Sequence, residues 1–183
     1  MEVYLAGPDV FFSDAEARFS RLERLCDDRG LSGLRPSDGG MSTMAGAGIS
    51  AKNMAQMIYQ ANLDHIRRAD AVVANMLPFR GQIEPDSGTV FEIGMAIALG
   101  KPVALYLPQG LEDSGSRIRR LCGNRDGSDA RYGALIEDFG LPLNLMLSCS
   151  SPCFGSPEEA LDHLACALEQ SASPKRRLGA LKF

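Results

Sequence analysis

The chain has 183 residues, with 19 lysines and arginines against 23 aspartates and glutamates, so its formal net charge is −4. This length suits one domain. A hydrophobic share of 45% with 23% charged residues is typical of a soluble globular protein and argues against disorder throughout the chain. The mild acidity disfavours a nucleic-acid scaffold. No apolar run reaches the roughly 18 residues of a membrane helix, and the first residues do not resemble a secretory leader, so we expect a cytoplasmic protein.

Cysteine and histidine usage offers no obvious ligand set for a metal. The five cysteines form no Cys-x-x-Cys pair, and the two histidines, His65 and His163, lie far apart in the sequence. Because a zinc site needs clustered thiolates and imidazoles, we expect reduced thiols, no metal and no cofactor.

Apolar runs typical of strands alternate with segments whose apolar residues repeat at helical spacing. The predicted elements, in chain order, are a strand over 3–6, a helix over 14–29, a weak strand over 31–34, a helix over 51–68, a strand over 70–76, a helix over 87–99, a strand over 103–107, a short helix near 118–121, a strand over 143–147 and a helix that begins at Ser156. Loops are predicted over 37–50, as a mobile segment, and over most of 109–138. We assign 1–170 to one domain and 171–183 to a flexible tail.

This alternation predicts an α/β fold with a flavodoxin-like, doubly wound, five-stranded parallel sheet and helices on both faces. In such sheets ligands bind beyond the carboxyl ends of the strands. Three loops should meet there, over 7–12, over 77–87 and after Leu107.

Several common phosphate-binding and nucleophile motifs are missing from the chain. No G-x-G-x-x-G follows the first strand, and neither a P-loop nor a G-x-S-x-G elbow occurs. These absences disfavour dinucleotide, P-loop and serine-hydrolase chemistry.

A cluster of carboxylates remains between a buried strand and an apolar helix, over Glu84, Asp86 and Glu92. Two interpretations of Glu92 stay open. It could close a capping box with Thr89, or it could face a substrate as an ionised nucleophile, held in that state by the helix N-terminus. The second interpretation suits retaining transfer of a sugar, and Tyr4 could orient the carboxylate through its hydroxyl.

Four blocks carry a resemblance to a known family. They read YLAGP over 4–8, PFRG over 78–81, EPDSGTVFEIG over 84–94 and GLPLNLM over 140–146. In order and spacing they resemble the nucleoside 2-deoxyribosyltransferase family. The resemblance implies a flavodoxin-like sheet and the transfer of 2-deoxyribose between bases by double displacement.

The same resemblance implies roles for particular residues. Glu92 would be the nucleophile, Tyr4 would donate a hydrogen bond to it, and Asp86 would bind sugar hydroxyls. Asn144 and Met146 would reach the site from a neighbouring subunit, which implies a homo-oligomer acting on deoxynucleosides and free bases.

At the end of the expected site that would bind the base, the chain both matches the family and departs from it. Phe11 resembles an aromatic residue that packs on the base, and the loops place Gly7, Phe79, Arg80 and Gly88 near the substrate. Where many family members carry an aspartate that handles the base and its proton, this chain has Asn62. An asparagine is a poor proton donor, so either Asp64 substitutes or another group or water protonates the leaving base.

Two other functions stay open from the sequence alone. With water as acceptor, the same fold would be a deoxynucleoside or deoxynucleotide N-glycosidase, for which Ser114, Ser116 and Arg117 could bind a phosphate. Alternatively, the chain would be a nucleotide-sensing module without turnover. Arg117 also belongs to a group of arginines that we interpret as a solvated face.

Overall fold

A computed structural model describes residues 1–37, 49–108, 110–122, 128 and 133–172. The strands are β1 (Glu2–Ala6), β2 (Ser32–Leu34), β3 (Ala71–Asn75), β4 (Val103–Tyr106) and β5 (Cys153–Phe154). The helices are α1 (Ala15–Asp27), α2 (Ala51–Arg68), α3 (Ser87–Ala98), α4 (Ser114–Cys122), α5 (Leu145–Ser150) and α6 (Pro157–Ala172), and a 3₁₀ turn covers Pro8–Phe11. Within the described ranges, no helix combines the length and apolarity needed to cross a bilayer.

The five strands form one parallel sheet in the order β2-β1-β3-β4-β5. This order confirms the predicted flavodoxin-like, doubly wound topology. Side chains alternate between the faces of a strand. On β1, Val3 and Leu5 therefore join a core beneath α1 and α6, whereas Tyr4 and Ala6 join a second core beneath α2 and α3. The alternation aims Tyr4 at the helix that carries Glu92.

The predicted strand over 143–147 is wrong. Asn144 caps α5 there, because its Oδ1 accepts a hydrogen bond from the backbone N–H of Leu147 at 3.2 Å. The Ser148 hydroxyl also donates to the carbonyl of Leu143 at 3.0 Å. The edge of β4 is instead paired by β5, in which Cys153 lies opposite Leu105. A short apolar run has the same composition in a strand and in a buried helix, which explains the error.

The remaining boundaries differ from the predictions in smaller ways. Helix α4 is longer than the predicted 118–121, and α6 continues to Ala172, into the segment predicted as tail. Ser156 caps α6 as predicted, accepting a hydrogen bond from the Glu159 N–H at 3.3 Å, while the Glu159 carboxylate accepts one from the Gly155 N–H at 3.0 Å. Most of the loop predicted over 37–50, and residues 173–183 of the predicted tail, lie outside the described residues.

Candidate active site

A cavity of about 720 Å³ opens beyond the carboxyl ends of β1 and β2. Its lining includes Gly7 and Phe11 from the loop after β1, Asn62 from α2, and Asp86 and Glu92 at α3. Pockets of this size hold drug-sized small molecules. The doubly wound sheet thus places several predicted residues in one cavity.

Glu92 is held by a single hydrogen bond from the sheet beneath it. The Tyr4 hydroxyl donates to Glu92 Oε1 at 2.7 Å, and the Tyr4 residue is fully buried. The other carboxylate oxygen, Oε2, has no hydrogen-bond partner among the described residues. One oxygen is therefore oriented and the other remains free.

The pKa of Glu92 is raised to about 7, mainly by burial and to a smaller extent by the nearby negative charge of Asp86. The hydrogen bond from Tyr4 opposes both effects because it favours the ionised carboxylate. We expected the helix N-terminus to keep Glu92 ionised, and this expectation is wrong. Helix α3 begins at Ser87, so Glu92 lies in its second turn, where the dipole has weakened and desolvation prevails.

The cap of α3 is Asp86, so the capping-box interpretation of Glu92 is also wrong. Asp86 Oδ2 accepts hydrogen bonds from the Thr89 N–H at 2.9 Å and from the Thr89 hydroxyl at 3.1 Å. The Glu92 side chain turns towards Tyr4 instead of its own helix terminus. A Cβ atom at Gly88 would lie 2.9 Å from Asp86 Oδ2, so the small residue keeps the cap intact.

A buried polar network that sequence reasoning missed positions the loop after β1. Asp9 is 4% exposed. It accepts a hydrogen bond from Asn75 Nδ2 at 2.8 Å and forms an ion pair with Arg18 at 3.1 Å. Gly7 passes so close that an added Cβ would lie 2.7 Å from the Asn75 Cβ. The sequence feature that could have indicated this network is a pair of polar residues, one near the carboxyl end of each of two neighbouring apolar strands.

The aromatic residues predicted near the substrate form a stack at the rim. Phe11 stacks on Phe79 with ring centroids 5.2 Å apart, and the Arg80 guanidinium lies 4.9 Å and 4.7 Å from the two ring centroids. Phe11 lines the cavity, whereas Phe79 and Arg80 support it from outside the lining. Phe11 is 56% exposed, so part of its ring remains accessible at the rim of the cavity.

The side chains of Asn62 and Asp64 lie in different surroundings in the structure. Asn62 lines the cavity, and its Oδ1 accepts a hydrogen bond from the backbone N–H of Ser37 at 2.6 Å. Asp64 is exposed and pairs with Arg67 at 2.7 Å. Asp64 therefore does not take the place of an acid at position 62.

The charges around the rest of the cavity are balanced. Arg35 forms ion pairs with Glu16 at 2.7 Å and with Glu23 at 2.5 Å. These carboxylates raise the pKa of Arg35, and Arg35 lowers the pKa of Glu16. No positive charge in the described lining is left without a carboxylate partner.

Other predicted residues lie outside this cavity. Met146 is 74% exposed and Asn144 caps α5, as described above. Ser114, Ser116 and Arg117 do not line it either. The prediction of a solvated face is wrong for Arg117, which is 6% exposed and donates to the Pro142 carbonyl at 3.2 Å, because it packs beneath the chain leading to α5.

The chain is similar in sequence and fold to several known proteins. Residues 3–146 match the family model described as nucleoside 2-deoxyribosyltransferase. The structure of a 2-desoxiribosyltransferase from Leishmania mexicana is 32% identical, with a TM-score of 0.68 over 90% of this chain and 96% of that one.

Two curated relatives match shorter stretches. An uncharacterised protein of Schizosaccharomyces pombe is 37% identical over 111 residues, which is 59% of this chain and 50% of that protein. A 5-hydroxymethyl-dUMP N-hydrolase of Mus musculus is 38% identical over 74 residues, 40% of this chain and 38% of that protein. The matched part of the chain thus spans half or less of the length of these two relatives.

Proposed function

Because the chain belongs to the nucleoside 2-deoxyribosyltransferase family, we propose that it moves 2-deoxyribose from one nucleobase to another, with Glu92 as the nucleophile. The observation that carries the proposal is the Glu92 carboxylate, held through one oxygen by Tyr4 at 2.7 Å on the wall of the cavity. The free Oε2 is the attacking atom.

The reaction runs in two displacements. Glu92 Oε2 attacks the anomeric carbon, the bond from that carbon to the base nitrogen breaks, and the base leaves with the electron pair and takes up a proton. A nitrogen of the acceptor base then attacks the same carbon, the ester bond breaks, the carboxylate is regenerated and the acceptor nitrogen loses its proton. Two inversions give overall retention of configuration.

The charges of the cavity favour an unphosphorylated nucleoside as the substrate. Asp86 uses Oδ2 for its capping bonds, so Oδ1 is available to accept a hydrogen bond from a sugar hydroxyl. A phosphate beside Asp86 and ionised Glu92 would be repelled, and Arg35 is already paired with two glutamates. The site therefore suits a neutral deoxynucleoside.

Hydrolysis is the second candidate, favoured by the similarity to the murine N-hydrolase. The chemistry of the first displacement would be identical, and water would replace the acceptor base in the second. The lifetime of the ester in the absence of a free base distinguishes the two activities.

We further propose that Asn144 and Met146 complete the site of a second copy of the chain. Both residues lie outside the cavity of their own chain, and Met146 exposes a large apolar side chain. Mixing an inactive Glu92→Gln chain with an Asn144→Ala/Met146→Ala chain should restore part of the activity, because one mixed site then holds both sets of residues. No recovery, together with a monomeric mass in solution, would refute the shared site.

The proposed activity is tested by mass spectrometry of the intact chain after mixing with a deoxynucleoside and no acceptor. A mass gain of one deoxyribosyl group on Glu92 is expected, absent from the Glu92→Gln variant. Adding a free base should discharge the adduct as a new nucleoside. Release of free deoxyribose at the same rate with or without the base would assign hydrolysis. A Glu92→Gln variant with unchanged turnover would reject Glu92 as the nucleophile. A native chain that neither exchanges nor releases the base would reject both activities.

A further inference from the structure

Arg117 is a buried cation that the proposed reaction does not use. It is 6% exposed, and its guanidinium donates to two backbone carbonyls. These are the Pro142 carbonyl, reached from Nη2 at 3.2 Å, and the Glu112 carbonyl, reached more weakly from Nη1 at 3.5 Å. Its Nε has no hydrogen-bond partner among the described residues, and none of them forms an ion pair with the guanidinium.

Such surroundings do not stabilise the fold by themselves. A buried guanidinium loses its hydration, and carbonyls without a carboxylate replace that hydration only in part. An unbranched apolar side chain such as methionine would fill a similar space without this loss. The role of Arg117 is therefore to be sought in what its contacts position.

Helix α4 holds two consecutive carbonyls of the chain that leads to α5. The backbone N–H of Ser114 donates to the Leu141 carbonyl at 2.7 Å. Three residues later in α4, Arg117 donates to the next carbonyl, that of Pro142. Residues three apart lie on the same side of a helix, so one side of α4 fixes two successive peptide groups.

These carbonyls lie just before the two residues that we propose reach a second copy. Asn144 follows Pro142 by two positions and caps α5, and Met146 lies in the first turn of that helix. Helix α5 has only 6 residues, so its place depends on the chain that enters it. A shift of the Pro142 peptide would therefore move Asn144 and Met146 together.

We infer that Arg117 is a positioning residue that acts across the subunit boundary: it fixes residues 141–147 of its own chain, and thereby places Asn144 and Met146 in the active site of the neighbouring copy. This inference rests on the proposed function, because it requires the shared site.

The competing role of Arg117 is within its own chain. The pKa of Glu84 is raised by partial burial, and the positive charge of Arg117 opposes that rise. Glu84 lies two positions before Asp86, which lines the cavity of the same chain. A role through this charge would affect the site of the chain that carries Arg117, whereas the inferred role affects the site of its partner.

Two substitutions of Arg117 are used in the test. Arg117→Met removes the charge and the donors, and kcat/KM for base exchange should fall about 10-fold to 100-fold, as expected for misplaced binding groups. Arg117→Lys keeps the charge beside Glu84 but loses the planar fork of donors, so its rate should fall as well. Arg120→Met is the matched control at an exposed position of α4 and should keep the native rate. A native rate in both Arg117 variants would overturn the inference.

Mixed oligomers separate the two roles. Arg117→Met produced together with Glu92→Gln forms sites that combine an intact Glu92 with a correctly held 141–147 segment, and about a quarter of the native activity should return if the chains pair at random. Arg117→Met produced together with Asn144→Ala/Met146→Ala should recover nothing, because neither chain supplies that segment in place. A role within the same chain predicts the opposite pattern, with recovery only in the second mixture, and would overturn the inference. The same mixtures made with Arg117→Lys repeat the test with the buried charge retained.

The mixture of Glu92→Gln with Asn144→Ala/Met146→Ala is the reference for the shared site. Recovery in this reference, but not in Glu92→Gln with either Arg117 variant, would overturn the role of Arg117 and leave the proposed function intact. No recovery in the reference would overturn the shared site and this inference together, while base exchange by the native chain still supported the transferase. If the native chain has no turnover, the proposed function fails; faster amide hydrogen exchange over 141–147 in Arg117→Met than in Arg120→Met would still support the hold of Arg117 on that segment.

Discussion

Removing the Tyr4 hydroxyl should move the pH dependence of the reaction in a measurable direction. The hydroxyl donates to Glu92 Oε1 at 2.7 Å and favours the ionised carboxylate. In Tyr4→Phe the ring remains to fill the core, and only this hydrogen bond is lost. A hydrogen bond to a charged group contributes about 1.5–3 kcal/mol, which equals about one to two pKa units.

The expected rate loss follows from the ionised fraction of Glu92. Its pKa is about 7 in the native chain, so about half of the molecules hold the proposed nucleophile in its ionised form at neutral pH. A pKa of about 8–9 in the variant would leave about one molecule in ten to one in a hundred ionised. The kcat/KM for base exchange at pH 7 should fall about 5-fold to 50-fold, and most of it should return above pH 9.

The measurement is the profile of kcat/KM against pH for native chain and variant. Tyr59→Phe is the matched control, since it removes the hydroxyl of a half-exposed tyrosine outside the cavity lining and should leave the acidic limb in place. An acidic limb that stays near pH 7 in Tyr4→Phe, with the rate lowered equally at every pH, would refute the proposed effect on ionisation.

Four further substitutions have expected outcomes. Asp86→Asn retains a good helix cap but removes a charge that raises the pKa of Glu92, so the acidic limb of kcat/KM should shift to lower pH while KM for the nucleoside increases. Glu92→Gln should increase the free energy of unfolding in urea more at pH 8 than at pH 4, and the difference between the two effects should be up to about 3 kcal/mol. The reason is that the native chain loses stability as pH rises through the raised pKa of about 7. An effect of the substitution that does not depend on pH would contradict this. Gly7→Ala brings a Cβ to 2.7 Å from the Asn75 Cβ and should cost about 1–3 kcal/mol, whereas Gly94→Ala, with open space around it in α3, should gain about 0.5–1 kcal/mol.

Local patterns were sufficient for most of the fold. Strand β3 is buried along its whole length and reads as a continuous apolar run, which is how a central parallel strand is recognised. Strand β5 has only two residues, Cys153 and Phe154, and no period can be detected over that length. Its pairing partner β4 determines where the last strand lies, and that information is not local.

The candidate site was predictable to the extent that it follows from topology. Tyr4 and Glu92 are 88 positions apart and meet because β1 alternates and α3 packs on the same face. The cap of α3 was misplaced, since both Thr89 and Asp86 are good capping residues and only the backbone distinguishes them. The ion pair between Asp9 and Arg18 and the burial of Arg117 depend on tertiary packing and have no counterpart in sequence spacing.

The burial that raises the pKa of Glu92 has two opposing effects on the reactivity of its carboxylate. Burial removes water from the carboxylate and so makes it a stronger nucleophile when ionised, but it also reduces the ionised fraction at neutral pH. The hydrogen bond from the Tyr4 hydroxyl to Oε1 restores part of the ionised fraction, and it does not occupy Oε2. A second donor on Oε2 would lower the pKa further and would also block the atom that we propose attacks the sugar. A single buried hydroxyl is therefore the arrangement that keeps the carboxylate both ionisable and reactive, and it explains why a tyrosine that also fills the core occupies this position.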